Sequence, residues 1–539
     1  MATSKPTERN IPPRLDAKGG VEWRSQMTAP NDSMAVINMV SDRLIPIVFV
    51  PGVMGSNLRG VGDKKKVTWR LDSSASMGPW LNRDEDERKK YLTPETMRVD
   101  DRGALPKGTS LPDAEMKRRG WGEVGAMSYT EFLVWLENAL SDFTDPKNGV
   151  RHALIGQALG AVKGEAALTK EDVSLSYKYR FPVHACGYNW LEDNALSANR
   201  LKKRIHEIIK YYQEKRYKCE NVIIVTHSMG GLVARHCTEN LGVSKLVLGV
   251  VHGVMPAIGA AAVYRRLQAG TEGDKIPSWV LGEDAGEMTA VLAGAPGPMQ
   301  LLPTPQYGNG WLTIRETVAG KKHEFTLPKK SDPYNEVYLV RWKWWSMVND
   351  RLINPELDDD DDDYKAQLDG EWKKYTEMMT KVVQVFHEQI QDKYHCNTHA
   401  FYGSHADYKS FGNVTWQAKD DSELLSRGNR RADFVNGVRT ELSEIKEFRT
   451  VESKLFGMGL KSSIEQVYTL SAPEEPGDGT VPHRSGIAPM KHTSVKAMLQ
   501  VKAGHEPAYR ESMPARRFTL RAIVQIAREV ENTSLAYKK

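Results

Sequence analysis

Three residues that lie far apart in the sequence have the side-chain types needed for nucleophilic catalysis. Ser228 lies in VIIVTHSMGGLVAR, Asp478 in EEPGDGTVP and His505 in AGHEPAY. A serine hydroxyl is a poor nucleophile until a base takes its proton, and an acid must hold that base in place. We therefore predict Ser228 as a nucleophile, Asp478 as the acid and His505 as the base.

The sequence around Ser228 predicts a strand, a tight turn and a helix in direct succession. Residues 221–226 form a short apolar run that is typical of a buried strand. A strained turn between a strand and a helix exposes the serine hydroxyl, and it needs small neighbours, here Gly230 and Gly231. Thr226 departs from the G-x-S-x-G pattern, which has glycine at that position. The alternative is a glycine-rich turn with an incidental serine.

The acid and the base follow the serine in the order found where this kind of turn carries the nucleophile. Asp478 sits between two glycines in a predicted turn, and His505 follows a predicted strand at 495–501. Aspartate followed by glycine is also common in ordinary turns. His483 and His492 remain alternative bases.

A tetrahedral intermediate also needs backbone donors for its negatively charged oxygen. The N–H of Met229, directly after the predicted nucleophile, is expected to be one donor. The loop after the strand predicted at 43–50 supplies the other, from Val53 or alternatively Met54, with Gly52 allowing close approach. Pro-Gly is also an ordinary turn dipeptide.

Alternating strand and helix patterns predict how these residues are positioned. The predicted strands cover residues 43–50, 181–185, 221–226, 244–251, 400–402 and 495–501, and the predicted helices cover 201–212, 231–240, 366–394 and 515–529. Strands that alternate with helices pair in parallel through right-handed crossovers. We predict an α/β-hydrolase fold, with a mostly parallel central sheet flanked by helices.

One large domain with long insertions fits the chain better than several domains. We predict a polar N-terminal arm at 1–42 and a hydrolase domain at 43–539. Insertions are expected at about 60–130, 255–395 and 405–470, the second forming a lid or cap. Three tryptophans are candidate anchors for the first insertion: Trp69, Trp80 and Trp121.

The segment 255–350 is too apolar for a solvated loop, yet its pattern looks too irregular for sheet or long helix. Its apolar residues are Met255, Trp279, Val280, Leu281, Met288, Val291, Leu292, Met299, Leu301, Leu302, Trp311 and Leu312. Long aperiodic insertions are usually lids or binding loops, and apolar pockets suit acyl chains. We expect a mobile lid over the site. The alternative is a rigid structural cap.

Composition excludes several other classes. The net charge is +5, and the basic residues are scattered among acidic ones, so nucleic acid is not an expected partner. Four widely spaced cysteines form no C-x-x-C motif and predict neither a disulfide framework nor a zinc site. The N-terminus has no apolar segment typical of a signal peptide, so synthesis in the cytoplasm is expected. The apolar window 246–263 contains Pro256 and is not predicted to span a membrane.

Two further patterns each have two interpretations. Six consecutive aspartates at 358–363 could bind calcium, but calcium loops space their ligands, so a solvated linker is favoured and no cofactor is expected. Residues 341–345, with the sequence RWKWW, suit either a membrane interface or packing inside the cap.

Several motifs together resemble a known group of enzymes. PGVMGSNL, YNW, THSMGG, APGPMQLLPT, GDGTVP and GHEPAY are similar to segments of lecithin:cholesterol acyltransferase-like lipases, and more so to the bacterial lipase effectors of type VI secretion. The resemblance extends from residue 46 to 509. It implies Ser228, Asp478 and His505 as the triad, and Val53 with Met229 at the oxyanion hole. About seventy residues separate FYGS from GDGTVP, which suggests an extra element there.

The resemblance implies a lipolytic serine hydrolase that acts on acyl esters of lipids or phospholipids at a membrane surface. A type VI effector would reach the target-cell periplasm without a signal peptide, and a cognate immunity protein would neutralise it in the producer. The alternatives are an acyltransferase, a cytoplasmic carboxylesterase and a hydrolase-like binding module without catalysis.

Overall fold

Six parallel strands form the central sheet. The computed structural model describes residues 7–11, 14–15, 21–23, 33–37, 41–142, 148–271, 282, 284–318, 321–418, 437–441, 444–455 and 458–537. In chain order the central strands are β1 (Ile47–Val50), β2 (Val183–Ala185), β3 (Val222–His227), β4 (Val247–Gly253), β5 (Thr398–Gly403) and β6 (Val495–Val501). Their order across the sheet is β6-β5-β4-β3-β1-β2, and every pairing is parallel.

Burial explains the apolar runs that predicted these strands. β1 to β5 are buried throughout, because helices cover both faces of the sheet. β6 lies at one edge and exposes Lys496 and Gln500. The predicted α/β-hydrolase architecture is confirmed.

The helices that flank the sheet follow the predicted apolar faces. Asn194–Glu214 begins after Asp193, whose side chain accepts from the N–H of Ala195, and it buries Leu201 and Ile205 against the core. The α-helices among the described residues are Ser74–Leu81, Glu85–Tyr91, Asp113–Arg118, Ala126–Leu140, Lys170–Ser176, Asn194–Glu214, Gly230–Asn240, Ala262–Ala269, Ala285–Leu292, Pro296–Met299, Tyr364–Met378, Gln384–Ile390, His483–Ile487, Ala508–Glu511 and Met513–Ile526. The helix predicted at 366–394 is thus two helices, joined by a π-helical turn at Met379–Val383.

The expectation that 255–350 is too irregular for sheet is wrong. Leu312–Val318 and Lys321–Leu327 pair antiparallel as a hairpin, and three helices precede them within the described part of this segment. Each element is short, so none repeats an apolar period long enough to be recognised in the sequence. Trp279, Val280 and Leu281 lie outside the described residues.

The hairpin belongs to a second six-stranded sheet that joins two of the predicted insertions. Its strands, in spatial order, are Lys321–Leu327, Leu312–Val318, Val414–Ala418, Met458–Leu470, Glu444–Leu455 and Gly437–Glu441. The extra element expected between FYGS and GDGTVP therefore contains most of this sheet. Strand pairing between distant segments is invisible to local pattern analysis.

The first insertion contains a small antiparallel sheet of Leu58–Gly60, Thr68–Trp69 and Met97–Val99. Trp69 and Trp80 pack together with ring centroids 5.5 Å apart, and Trp121 donates its indole N–H to the carbonyl of Val183 in β2. All three tryptophans are buried. Within the arm predicted at 1–42, Thr7–Ile11 pairs in parallel with Ser33–Ile37, and much of the remainder lies outside the described residues.

Candidate active site

Ser228 occupies the turn between β3 and the helix Gly230–Asn240. Its φ angle is +51°, in the left-handed region that non-glycine residues adopt only where the surroundings impose it. The N–H of Ser228 donates to the carbonyl oxygen of Gly253 at 2.9 Å, which ties the turn to the end of β4. The turn therefore has the backbone geometry of a nucleophile elbow.

The two glycines after Met229 are required by close contacts. A Cβ atom on Gly230 would lie 2.4 Å from the carbonyl oxygen of Pro51 and 2.5 Å from that of Val50. A Cβ atom on Gly231 would lie 2.6 Å from the sulfur of Met255. Because backbone oxygens at a strand end cannot move aside, a larger residue at 230 would displace the whole turn.

The structure brings Ser228, His505 and Asp478 into one hydrogen-bonded chain. His505 Nε2 lies 2.8 Å from Ser228 Oγ, and His505 Nδ1 lies 2.8 Å from Asp478 Oδ2. An ionised carboxylate only accepts, so Nδ1–H donates to Asp478 and leaves Nε2 free to accept the serine proton. Asp478 is 2% and Ser228 3% exposed, whereas the His505 side chain is 14% exposed, so the acid is the member best shielded from bulk water.

Backbone donors hold the Asp478 carboxylate in its turn. Its Oδ1 accepts from the N–H groups of Val481 at 2.7 Å and Thr480 at 3.0 Å. The backbone N–H of His505 donates to the Asp478 carbonyl oxygen at 2.8 Å, so acid and base are joined through backbone and side chain alike. Gly479, with a φ angle of +92°, makes this turn possible.

The loop after β1, residues 52–55 (the predicted oxyanion loop), lies directly against the elbow. A Cβ atom on Gly52 would lie 3.0 Å from Ser228 Cβ, so the loop backbone touches the serine. Val53 and Met54 line the same cavity as Ser228, and Met229 begins the following helix with its side chain buried in the core. Both segments therefore adjoin Ser228, and the N–H groups of Val53 and Met229 stay the predicted oxyanion donors.

A cavity of about 400 Å³ opens beside Ser228 and His505. Its apolar lining comes from the oxyanion loop, the first insertion and the cap: Val53, Met54, Leu71, Met77, Met127, Pro256, Ala260, Ala262, Val263 and Leu301. Arg266, Thr480, Glu506 and Arg510 add a few polar groups. The cap helix Ala262–Ala269 thus forms part of the cavity wall.

The alternative bases have other partners. His483 Nδ1 hydrogen-bonds with Ser404 Oγ at 3.0 Å, and His492 Nε2 lies 3.2 Å from the Asp392 carboxylate. Of the three histidines weighed from the sequence, only His505 reaches Ser228 within the described residues.

Thr226 fills the position where the G-x-S-x-G pattern has glycine, and the structure accommodates it. Its hydroxyl hydrogen-bonds with Nδ1 of His252 at 3.0 Å, across the β3–β4 pair. Burial lowers the pKa of His252 to about 3, so this imidazole is neutral. His252 is a satisfied buried residue of the sheet.

Two further residues, Tyr129 and His227, lie beside the site and were not among those predicted from the sequence. The Tyr129 hydroxyl lies 3.0 Å from His227 Nδ1 and accepts from the N–H of Gly52 at 3.1 Å. His227 precedes Ser228 directly, and that adjacency was a usable signal. Tyr129 lies in the helix Ala126–Leu140, and nothing in the local sequence distinguishes it from an ordinary core tyrosine.

The remaining sequence candidates lie elsewhere on the protein. Asp358, Asp359 and Asp360 are exposed, with carboxylate oxygens within 4.8 Å of one another. Of the RWKWW segment, Trp342 is 72% exposed, whereas Trp344 and Trp345 are buried in the cap. The cap-packing interpretation therefore holds for the last two tryptophans. Among the described residues, no helix has the length and apolar character needed to cross a bilayer.

The fold and a family match define the class of this protein. A family model of the PGAP1-like alpha/beta domain matches residues 188–251, the stretch that contains β3 and the Ser228 turn. With the parallel sheet and the elbow, this match identifies a hydrolase of the α/β-hydrolase fold. Comparison with curated proteins finds no match.

A solved structure extends the similarity to nearly the whole chain. The crystal structure of the Tle4–Tli4 complex matches with a TM-score of 0.72 and 27% sequence identity, covering 90% of this chain and 98% of that one. The resemblance to type VI secretion lipase effectors, inferred from the motifs, is confirmed.

Proposed function

We propose that this protein is a serine lipase that cleaves acyl esters of membrane lipids, phospholipids included, through an acyl-enzyme on Ser228. The observation that carries the proposal is the chain of 2.8 Å contacts from Ser228 through His505 to Asp478, placed against an apolar cavity. The similarity to a type VI lipase effector supports the same class of reaction.

The residues have distinct roles in the proposed reaction. His505 Nε2 takes the hydroxyl proton as Ser228 Oγ attacks the ester carbonyl, and Asp478 stabilises the imidazolium. The N–H groups of Val53 and Met229 stabilise the oxyanion of the tetrahedral intermediate. When this intermediate collapses, the C–O bond to the alcohol breaks and His505 returns the proton to the leaving alcohol.

Water completes the cycle. His505 removes a proton from a water molecule, which attacks the acyl-serine ester. A second tetrahedral intermediate then releases the fatty acid, and the proton returns to Ser228 Oγ. The proposed cycle restores the free enzyme and uses no cofactor.

The cavity lining supports a lipid acyl chain as the group beside Ser228. Pockets that hold apolar ligands are lined mainly by apolar side chains with a few polar groups that fix orientation. Met77, Met127 and Leu301 provide flexible apolar walls, and Arg266 adds positive charge suited to the phosphate of a phospholipid, whereas Arg510 is paired with Glu506 and Glu511. The membrane surface is accordingly the proposed site of action.

Similarity to Tle4, crystallised in a complex with Tli4, supports a role as a secreted antibacterial effector. In this proposal the type VI apparatus delivers the chain to the target-cell periplasm, and a cognate immunity protein protects the producer. Directing the chain to the periplasm of a Gram-negative host should inhibit growth, and the Ser228→Ala variant so directed should not. Equal inhibition by both forms would contradict an enzymatic toxin.

Titration with a fluorophosphonate tests the proposed chemistry, since this probe labels only activated serines. Labelling should stop at one equivalent, map to Ser228 by peptide mass spectrometry, and be absent in Ser228→Ala. Intact protein that takes up no probe would point to the non-catalytic binding module. For labelled enzyme, products formed from one acyl donor with and without an added alcohol separate hydrolysis from acyl transfer.

A further inference from the structure

Two buried side chains, Tyr129 and His227, connect the oxyanion loop to the loop that carries His505. On one side, the Tyr129 hydroxyl bonds the N–H of Gly52 in the oxyanion loop. On the other, His227 Nε2 lies 2.9 Å from the backbone carbonyl oxygen of His505. Tyr129 and His227 meet at 3.0 Å, so an unbroken chain runs from the oxyanion loop to the loop of the base.

The direction of each hydrogen bond follows from elementary chemistry. A carbonyl oxygen only accepts, so His227 Nε2–H donates to His505. Burial, with the nearby His505 adding to it, lowers the pKa of His227 to about 3, and the neutral ring must then accept at Nδ1. The Tyr129 hydroxyl therefore donates to His227 and uses its oxygen to accept from Gly52. Burial raises the pKa of Tyr129, which keeps that hydroxyl protonated.

Packing leaves these groups little freedom to move. A Cβ atom on Gly52 would lie 2.9 Å from His227 Nδ1, and one on Gly55 would lie 2.7 Å from the Tyr129 ring. The Tyr129 ring packs in turn on Phe49 of β1, with centroids 5.0 Å apart. Both ends of the oxyanion loop thus rest on the same tyrosine.

We propose that Tyr129 and His227 form a positioning bridge, which sets the spacing of the oxyanion loop and the His505 loop around Ser228. The inference rests on the function proposed above. Neither residue takes part in bond making. Their effect is that the oxyanion donors and the base reach the tetrahedral intermediate together, in the preorganised geometry on which electrostatic catalysis depends.

Tyr129→Phe is the sharpest test because it removes one hydroxyl and keeps the ring. The matched control is Tyr509→Phe: Tyr509 is equally buried, packs on Phe132 in the same aromatic cluster, and donates instead to the strand carbonyl of Thr226 at 3.1 Å. Tyr129→Phe leaves two buried partners without a hydrogen bond and Tyr509→Phe leaves one, so the melting temperature should fall in both variants and further in Tyr129→Phe. The two should differ in catalysis.

We expect Tyr129→Phe to lower kcat for a short acyl ester by about 10- to 100-fold with KM nearly unchanged, as for loss of groups that orient catalytic residues. An alkyl trifluoromethyl ketone, which forms a tetrahedral adduct with serine, should bind more weakly by a similar factor. Binding of the fatty acid product should not change. Tyr509→Phe should retain wild-type kcat and ketone affinity.

His227→Gln provides a second variant, which keeps a donor towards the His505 carbonyl but breaks the link to Tyr129. If the bridge acts as a unit, the double variant of His227→Gln and Tyr129→Phe should have a kcat little lower than that of either single variant. If Tyr129→Phe has the same kcat and ketone affinity as Tyr509→Phe, the bridge is overturned and the hydrolase proposal stays intact. A wild-type protein without esterase activity would overturn both.

Discussion

His505 Nε2 lies 2.8 Å from Ser228 Oγ, although 277 positions separate the two residues in the chain. The contact arises because Ser228 follows β3 and His505 follows β6, and the ends of parallel strands lie at the same edge of a sheet. In open α/β sheets, this edge is where ligands bind. The oxyanion loop after β1 joins them there for the same reason.

The identity of the base is the first prediction. Changing His505 to Ala should lower kcat/KM for ester hydrolysis by roughly 10⁶-fold, as loss of the nucleophile would, because members of such a triad act as a unit. His483→Ala and His492→Ala should each stay near wild type, since their imidazoles bond Ser404 and Asp392 instead. An inactive His483→Ala with an active His505→Ala would reverse the assignment.

The elbow makes a second prediction, about Gly230. Gly230→Ala would push a methyl group to within 2.5 Å of two backbone oxygens, so activity and melting temperature should both fall. The control is Gly370→Ala, in the middle of the helix Tyr364–Met378, where an added Cβ meets nothing within 4 Å. That change should stabilise the protein by about 1 kcal/mol. A Gly230→Ala variant as stable and active as Gly370→Ala would refute the close-packed elbow.

The central sheet, and the three side chains that meet at its edge, could be recognised in the sequence because both depend on local signals. β3 and β6 are short apolar runs, and the residues around Ser228, Asp478 and His505 are turn-forming glycines next to chemically distinctive side chains. Each could be recognised from a few neighbours. The order along the chain then joined them into one prediction.

Features that depend on pairing between distant segments could not be predicted in this way. The hairpin at 312–327 did not stand out in the sequence because one of its strands, Leu312–Val318, pairs with Val414–Ala418, about a hundred residues later. Tyr129 was overlooked for a related reason. Its hydroxyl matters only because His227 and Gly52 are brought to it by the fold.

The cap makes a third prediction, about the physical state of the substrate. Cap residues 256–266 wall the cavity beside Ser228, so an open cap exposes apolar surface that a lipid aggregate would stabilise. Hydrolysis rates should therefore jump when a substrate passes its critical micelle concentration, and short soluble esters should be poor substrates. Rates that rise smoothly through that concentration would favour a rigid cap and leave the esterase chemistry untouched.

Stability in acid provides a fourth prediction. Burial lowers the pKa of His227, His252 and His399 to about 3 and that of His387 to about 4, against an ordinary value of 6.5. Between pH 6.5 and these lowered pKa values, the four histidines are protonated in the unfolded chain and neutral in the folded one. The free energy of unfolding should consequently fall as pH drops below about 6.5, by about 1.4 kcal/mol per pH unit for each histidine.

His399 isolates one contribution to this acid sensitivity. It lies in β5, and its Nδ1 is buried without a hydrogen-bond partner in the described part of the chain. In His399→Gln, the loss of stability between pH 7.5 and 5.0, measured by urea unfolding, should shrink by about 2 kcal/mol. Esterase activity at pH 7.5 should be retained. An unchanged pH dependence would show that His399 titrates normally in the folded protein.

Fatty acid release from phospholipid vesicles by the wild-type protein and by Ser228→Ala tests the central claim most directly. The wild type should release fatty acid, and the variant, with an unchanged circular dichroism spectrum and melting curve, should be slower by on the order of 10⁶-fold. Loss of the nucleophile alone would then account for the loss of activity. A folded Ser228→Ala that hydrolyses the vesicles at a rate near that of the wild type would contradict the mechanism.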